Sequence, residues 1–255
     1  MYNFSAHSMI MNKVLQKQIN DEVERVGFSQ KKNEIESQLR VQGYSAIGRV
    51  LTVEECGSIV EMYESADRFR SRIDMARFRF GKGEYKYFAY PLPEVVDRLR
   101  AELYAGLSGA ASRWMSDLGE EIEYPPMHKA FAKQCHEAGQ IRPTPLILRY
   151  GPGDFNCLHQ DLYGDFVFPF QVVIGLSKQG SDYTGGELML VEQQPRAQSI
   201  GRVVPLDQGE GVVITTRYRP VKGSRGFYRT NVRHGVSPLR SGRRFTLGII
   251  FHDSK

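Results

Sequence analysis

Cysteine is scarce in this sequence, and long apolar runs are missing. The three cysteines, Cys56, Cys135 and Cys157, are odd in number and far apart. That pattern matches neither a disulfide framework nor a CxxC zinc site, so reduced thiols are expected. No stretch of about 18 apolar residues is present, so no membrane-spanning helix is predicted. The opening segment MYNFSAHSMIMNKVLQKQ lacks the apolar stretch of a signal peptide, and a cytoplasmic protein with no membrane partner is the expectation. Internal repeats and low-complexity tracts are also missing.

What remains is ordinary globular composition. Of 255 residues, 41% are hydrophobic, 25% charged and 11% aromatic, which argues against disorder of the whole chain. A core of this size needs no disulfides. The net charge of +5 permits an acidic partner such as nucleic acid without demanding one. An anionic co-substrate alone would justify a local cluster of arginines.

Two halves differ in pattern. Residues 1–40 are polar and helix-prone, with Val14, Ile19, Val23 and Val26 spaced as on a weakly amphipathic helix. They are set apart as an N-terminal extension, with a single domain over 41–255. Residues 43–50 read as a strand. Thr52, with Glu55 three residues on, predicts a capped helix over 51–64. Residues 73–92 mix aromatic and basic residues around a Gly-Lys-Gly turn, as in a hairpin or extended loop. Further helices are predicted over 93–118, with Val96, Leu99, Leu103 and Leu107 in helical spacing, and over 128–138.

From residue 144 the pattern turns to short β-rich runs at 144–150, 168–176, 186–191, 211–216, 227–233 and 243–251, with one longer loop at 192–205. The fold class expected is α+β: helical support over about 41–143 packed on a double-stranded β-helix, or jelly roll, over about 144–255.

The sharpest local signal is Leu158-His159-Gln160-Asp161. In a strand, residues two apart share a face, so His159 and Asp161 can turn toward one metal ion. His234, at the end of the run 227–233, is the candidate third ligand. Two histidines and a carboxylate form a facial triad that leaves positions open for a chelating co-substrate and oxygen. An HxD pair alone is common by chance. Its weight comes from the second histidine in a β context, from an arginine ten residues after that histidine, and from the Tyr150-Gly151-Pro152-Gly153 lead-in. His7, His128 and His136 fit a metal site less well, and His252 is a weaker candidate. A zinc hydrolase is the competing metal reading. Zinc does not account for the arginine, and no glutamate adjoins the motif as a general base.

The segment from Arg149 through Tyr150 to His159-Gln160-Asp161 resembles the lead-in of AlkB-type oxygenases, which repair alkylated nucleic acid. His234-Gly235-Val236-Ser237 and Arg244-Phe245-Thr246-Leu247 are similar to their second half. Prolyl-4-hydroxylase-type enzymes share the tyrosine nine residues before HxD and the basic residue ten after the distal histidine. A fuller resemblance, over about residues 70–255, is to a group of bacterial 2-oxoglutarate oxygenases described, by inference, as acting on damaged nucleic acid.

The resemblance implies that His159, Asp161 and His234 bind Fe(II) and form the catalytic centre. Arg244 would pair with the distal carboxylate of 2-oxoglutarate, with Tyr150 and Thr246 as neighbouring polar contacts. Arginine suits that task because it is permanently charged and bidentate; Arg243 would point the other way. Two positions depart from the AlkB pattern: Ile250 stands where a second arginine is found, and Tyr163 where an acidic residue reads the base. The implied reaction consumes 2-oxoglutarate and O2 and hydroxylates or oxidatively demethylates its substrate, releasing succinate and CO2. The substrate is damaged DNA or RNA, or else a small molecule, an amino acid or a protein residue. Tyr163, Arg217 and Arg219 are candidate substrate contacts. Residues 217–226 read either as phosphate contacts or as a solvated loop, and residues 77–90 as a single-strand-binding, lid or core segment. Gln171 is a candidate for the barrel interior. A non-catalytic reading, a metal-holding jelly-roll sensor, stands beside these. Oligomeric state is not legible.

Overall fold

The computed structural model describes residues 31–255. The amphipathic segment expected around Val14 to Val26 lies outside the described residues.

Helix α1 (Lys32–Gln42) ends at Gly43, which takes a left-handed C-cap conformation, φ 80°. Ile35 and Leu39, one turn apart, are buried in the main core. The domain boundary expected at residue 40 therefore falls inside a helix that packs on the domain. Strand β1 (Tyr44–Arg49) follows. Helix α2 (Val53–Met62) starts on the predicted capping box: the Thr52 hydroxyl accepts from the Glu55 N–H, and the Glu55 carboxylate accepts from the Thr52 N–H. Strands β2 (Phe69–Asp74), β3 (Gly81–Lys82) and β4 (Glu84–Phe88) fill the aromatic-basic stretch, with β2 and β4 antiparallel. Helix α3 (Glu94–Asp117) buries Val96, Leu99, Leu103, Leu107 and Trp114 along one stripe. Helix α4 (His128–Glu137) packs beside it.

The remaining strands are β5 (Leu146–Tyr150), β6 (Phe155–His159), β7 (Phe170–Gly175), β8 (Tyr183–Gly185), β9 (Leu188–Gln193), β10 (Ile200–Val204), β11 (Glu210–Thr215), β12 (Tyr218–Gly223), β13 (Gly226–Val236), β14 (Leu239–Gly242) and β15 (Arg244–Ile250). One sheet runs β1-β11-β7-β15-β5-β4-β2. The other runs β10-β9-β13-β6-β3, with β12 also on β13. Every pairing between these strands is antiparallel, the jelly-roll arrangement of two facing sheets.

Three expectations are corrected. The loop expected at 192–205 contains β10, which pairs with β9 from Ile200↔Glu192 to Val204↔Leu188. The solvated loop considered for 217–226 is half of a hairpin, β12 paired with β13. The N-terminal half is not helical support alone, since it supplies β1, β2 and β4 to the seven-stranded sheet. In each case pairing with another strand overrides weak local propensity.

Strand β15 shows how the core is divided. Phe245, Leu247, Ile249 and the following Phe251 join the cluster under the helices. Arg244, Thr246, Gly248 and Ile250 line a cavity between the sheets. Both faces of the strand are covered, so the run reads as uniformly buried and hides its alternation. The cysteines are all free, Cys56 and Cys135 buried and Cys157 exposed. Among the described residues, no helix is long and apolar enough to cross a membrane.

Candidate active site

Strand pairing assembles the candidate metal ligands. In the β13–β6 ladder His234 lies opposite His159, and opposite residues of an antiparallel pair project to one face. Their rings lie 4.3 Å apart, centroid to centroid. Gly235 follows within a register shift of the ladder. A Cβ there would stand 2.7 Å from the Asn156 carbonyl, so only glycine lets β13 approach β6 this closely. Asp161 lies two residues beyond His159, just past the end of β6 rather than within it. It still converges: its carboxylate oxygens lie 3.6 Å from His159 Nε2 and 3.2 Å from His234 Nε2. One donor atom from each of the three residues lies within 4.8 Å of the others.

The surroundings orient these groups. The Nδ1–H of His159 donates to the Cys157 carbonyl at 2.7 Å. That leaves its Nε2 lone pair facing Asp161, the usual device for fixing a ligand imidazole. The Tyr163 hydroxyl donates to Asp161 Oδ1 at 2.8 Å, and the Tyr87 hydroxyl donates to that of Tyr163 at 3.3 Å. The Gln171 side-chain amide lies 3.0 Å from His234 Nε2. Burial would raise the Asp161 pKa, but the hydrogen bond and charge of His234, with His159 and Tyr163, hold it well below the usual carboxylate range. Burial first, and His234 next, lower the pKa of His159. The centre is therefore an ionised carboxylate beside an imidazole held toward its neutral form. Those are the forms in which the two groups ligate a metal.

The cavity has a volume of about 370 Å3 and includes the three ligands together with Tyr150, Arg244 and Thr246. Arg244 lies opposite Tyr150 in the β15–β5 ladder. Its guanidinium carbon stands 5.6 Å from the Tyr150 ring centroid and 5.9 Å from that of Tyr183. The arginine is buried, yet Nε and Nη1 have no hydrogen-bond partner, and neither has the fully buried Tyr150 hydroxyl. A buried guanidinium without an anion is costly. Donors arranged in this way fit a carboxylate. Gly186, at φ 63°, makes room for this arginine, because a Cβ there would lie 3.1 Å from Arg244 Cδ and 2.6 Å from Leu239 Cδ1. The spacing-based choice between the paired arginines agrees with burial, Arg243 being exposed.

Other expected site residues scatter. Tyr163 lines the cavity, but its hydroxyl is committed to Asp161. Arg217 is exposed, stacks on Tyr218 at 4.4 Å and is absent from the cavity wall. Arg219 is corrected as a substrate contact. It is buried, pairs through Nε and Nη2 with both carboxylate oxygens of Glu192, and donates from Nη1 to the Arg40 carbonyl. That arginine joins α1 to the sheet. His252 stands outside the ligand cluster, its Nδ1 accepting from the Phe168 N–H at 3.2 Å. His128 and His136 on α4 bond the Phe251 carbonyl and Asp253. His7 lies outside the described residues. Gln171 does face the interior, alternating with Phe170 and Val172 of the helix-side core. Tyr87 is the residue the sequence did not disclose; its only signal was period-two alternation with Tyr85 in β4, both of which line the cavity.

Comparison with known proteins bears on this arrangement. The family Oxygenase-NA, described as "Oxygenase, catalysing oxidative methylation of damaged DNA", matches residues 83–254. Two uncharacterized proteins of Mycobacterium tuberculosis, MT2286 of strain CDC 1551 / Oshkosh and Rv2227 of strain ATCC 25618 / H37Rv, are each 53% identical over 167 residues. Those residues span 66% of this chain and 72% of each relative. Among solved structures, a Pseudomonas putida prolyl-4-hydroxylase superposes with a TM-score of 0.52 at 16% identity, covering 88% of this chain and 99% of that one. A 2OG-Fe(II) oxygenase-family oxidoreductase from Burkholderia pseudomallei gives a TM-score of 0.50 at 16% identity, with 88% and 92% covered. These likenesses establish the fold. With the family match spanning most of the domain, the chain belongs to the Oxygenase-NA family and is by class an oxygenase.

Proposed function

We propose that this chain uses Fe(II), 2-oxoglutarate and O2 to hydroxylate, or oxidatively demethylate, an alkylated base in nucleic acid. The observation that carries the co-substrate assignment is Arg244: a buried guanidinium with unpartnered N–H groups, in the same cavity as a converging His-Asp-His set. The donor set fits Fe(II), since two imidazoles and one carboxylate leave the rest of the coordination sphere open. Iron held there would couple oxidative decarboxylation of 2-oxoglutarate to succinate with insertion of an oxygen atom into a C–H bond.

The chain's own part is binding and orientation. His159, Asp161 and His234 hold the ion. The Cys157 carbonyl fixes the ring of His159, and Tyr163 and Tyr87 fix the carboxylate of Asp161. Arg244 meets the distal carboxylate of 2-oxoglutarate, with Tyr150 and Thr246 beside it. Leu146, Leu148 and Ile250 give the cavity apolar walls, which exclude water from a reactive centre. Hydroxylation of an N-linked methyl carbon yields a hemiaminal that loses formaldehyde, so one C–H oxidation accounts for both proposed outcomes.

Support for a nucleic-acid substrate comes from the family's description and the basic net charge. Purified protein with Fe(II) is expected to release succinate from 2-oxoglutarate, and a single-stranded oligonucleotide bearing an N-methylated base is expected to stimulate that release. Stimulation by peptides or free amino acids, with none by any oligonucleotide, would sink this substrate assignment. Activity with zinc and indifference to oxygen would sink the oxygenase assignment itself.

A further inference from the structure

The excursion between β2 and β4 carries side chains that the oxygenase chemistry does not use. Ala76–Phe78 form one 3-10 turn, Arg79 takes φ 60°, and Phe80 follows. Phe78 and Phe80 are each 48% exposed, and their rings stack at 5.6 Å with 20° between planes. The Arg77 guanidinium carbon stands 5.7 Å from the Phe78 ring centroid. Arg79 and Phe80 also border the cavity that holds His159, Asp161 and His234.

This segment is fastened to the strand that carries the first ligand. The Phe80 N–H donates to the Met75 carbonyl at 3.0 Å, and the Phe80 carbonyl accepts from the Cys157 N–H at 2.8 Å. Gly81 and Lys82 then pair with Asn156 and Phe155 of β6. On the opposite flank of β6, Gln160 bonds Asn231 at 2.6 Å and the Val232 carbonyl at 2.8 Å, beside the exposed Arg217. The cavity wall at Arg79 and Phe80 is thus continuous with a fixed, exposed aromatic pair that is bracketed by arginines. An exposed π-face accepts a base only when that base is free of its own stack, and guanidinium groups meet phosphodiester charge. The combination selects a single strand over a duplex.

We propose that the Phe78–Phe80 pair is a stacking platform for the base adjacent to the one entering the cavity in single-stranded DNA, with Arg77 and Arg79 meeting the neighbouring phosphates. This rests on the nucleic-acid reading above. The experiment compares wild type, Phe78→Ala/Phe80→Ala, Phe78→Tyr/Phe80→Tyr and Arg77→Gln/Arg79→Gln, all with Fe(II) bound. Each is titrated with a fluorescent twelve-nucleotide single strand bearing one N-methylated base, and with the methylated mononucleoside. The alanine pair is expected to weaken oligonucleotide binding on the order of ten-fold, to weaken mononucleoside binding far less, and to be restored by the tyrosine pair. The arginine pair is expected to flatten the salt dependence of Kd. Equal oligonucleotide affinity in wild type and the alanine pair, with wild type still stimulated by the oligonucleotide, overturns the platform alone. Equal loss for the mononucleoside also overturns it, because the pair would then act on the cavity itself. A wild type that no oligonucleotide stimulates overturns the nucleic-acid reading beneath it.

Discussion

At the residue scale the site divides into groups that hold and groups that orient. His159→Ala or Asp161→Ala removes a metal donor, and succinate release is expected to fall to background. Arg244 acts on a different ligand. Its truncation should leave Fe(II) binding intact while weakening 2-oxoglutarate, by about 2–5 kcal/mol if the pair is as desolvated as the buried guanidinium indicates. Titration calorimetry of Fe(II) and of 2-oxoglutarate against Arg244→Gln separates the two. Loss of both affinities together would contradict the assignment. The Tyr163 hydroxyl is committed to the Asp161 carboxylate and to Tyr87, so it is a positioning residue. Tyr163→Phe is expected to weaken Fe(II) affinity roughly ten-fold or more, the usual effect of losing an outer hydrogen bond, with 2-oxoglutarate affinity at saturating iron little changed. Unaltered iron affinity would show that Asp161 needs no such support.

At the scale of elements, the site depends on how closely β13 meets β6 and on how the helices hold the larger sheet. Gly235→Ala would drive a methyl group against the Asn156 carbonyl. The separated strands should then show weaker iron binding before global unfolding, measured by iron titration alongside thermal melting. Unchanged iron affinity would mean that the ladder tolerates the displacement. Helix α3 is tied to the end of β15 by a buried ion pair, Arg100 to Asp253 at 2.7 Å, with further donation to the Ile250 and Phe251 carbonyls. Breaking one side of such a pair strands the other charge. Arg100→Met is expected to cost about 3–5 kcal/mol in urea unfolding, and a loss under about 1 kcal/mol would show that Asp253 finds a replacement.

These elements also show where sequence pattern reaches and where it stops. The capping box at Thr52 and the stripe on α3 are encoded within four residues, and the structure follows them. Strands β10 and β12 contain exposed or basic residues and gain their conformation from partners on β9 and β13. Those partners are neighbours in the chain, so it is the polar surface of the two strands, not distance, that hides them. Arg219 is the residue-level version: it looks like a basic loop residue until Glu192 and the Arg40 carbonyl are seen around it.

For the molecule as a whole, buried histidines set the acid limit of stability. Burial, then the charge of Arg100, lowers His128 to about 4, and the same two causes lower His252 to about 4. Both are neutral in the fold and near 6.5 when unfolded, so protons favour the unfolded chain between those values. Their contribution is complete above about pH 6.5 and is lost as pH falls toward 4, on the order of 3 kcal/mol for each residue. Tm is expected to drop across that window, and His128→Gln should flatten part of the drop. A Tm constant from pH 6.5 to 4.5 would refute this account.

The sequence by itself determined which residues are the candidate ligands. HxD spacing, a distal histidine and an arginine ten residues beyond it survive as a one-dimensional pattern because each sits at a fixed step along a strand or its end. It determined too that the C-terminal half is β-rich and that helices, one of them capped at Thr52, precede it. Only the tertiary structure decided which side chains those strands bring face to face: His159 against His234, Arg244 against Tyr150, Tyr163 onto Asp161, and an exposed Phe78–Phe80 pair beside the opening. The reason is physical. Strand pairing joins residues as far apart in the chain as Tyr44 and Ile214, and its register is set by burial on both faces of a sheet, which no short stretch of sequence contains.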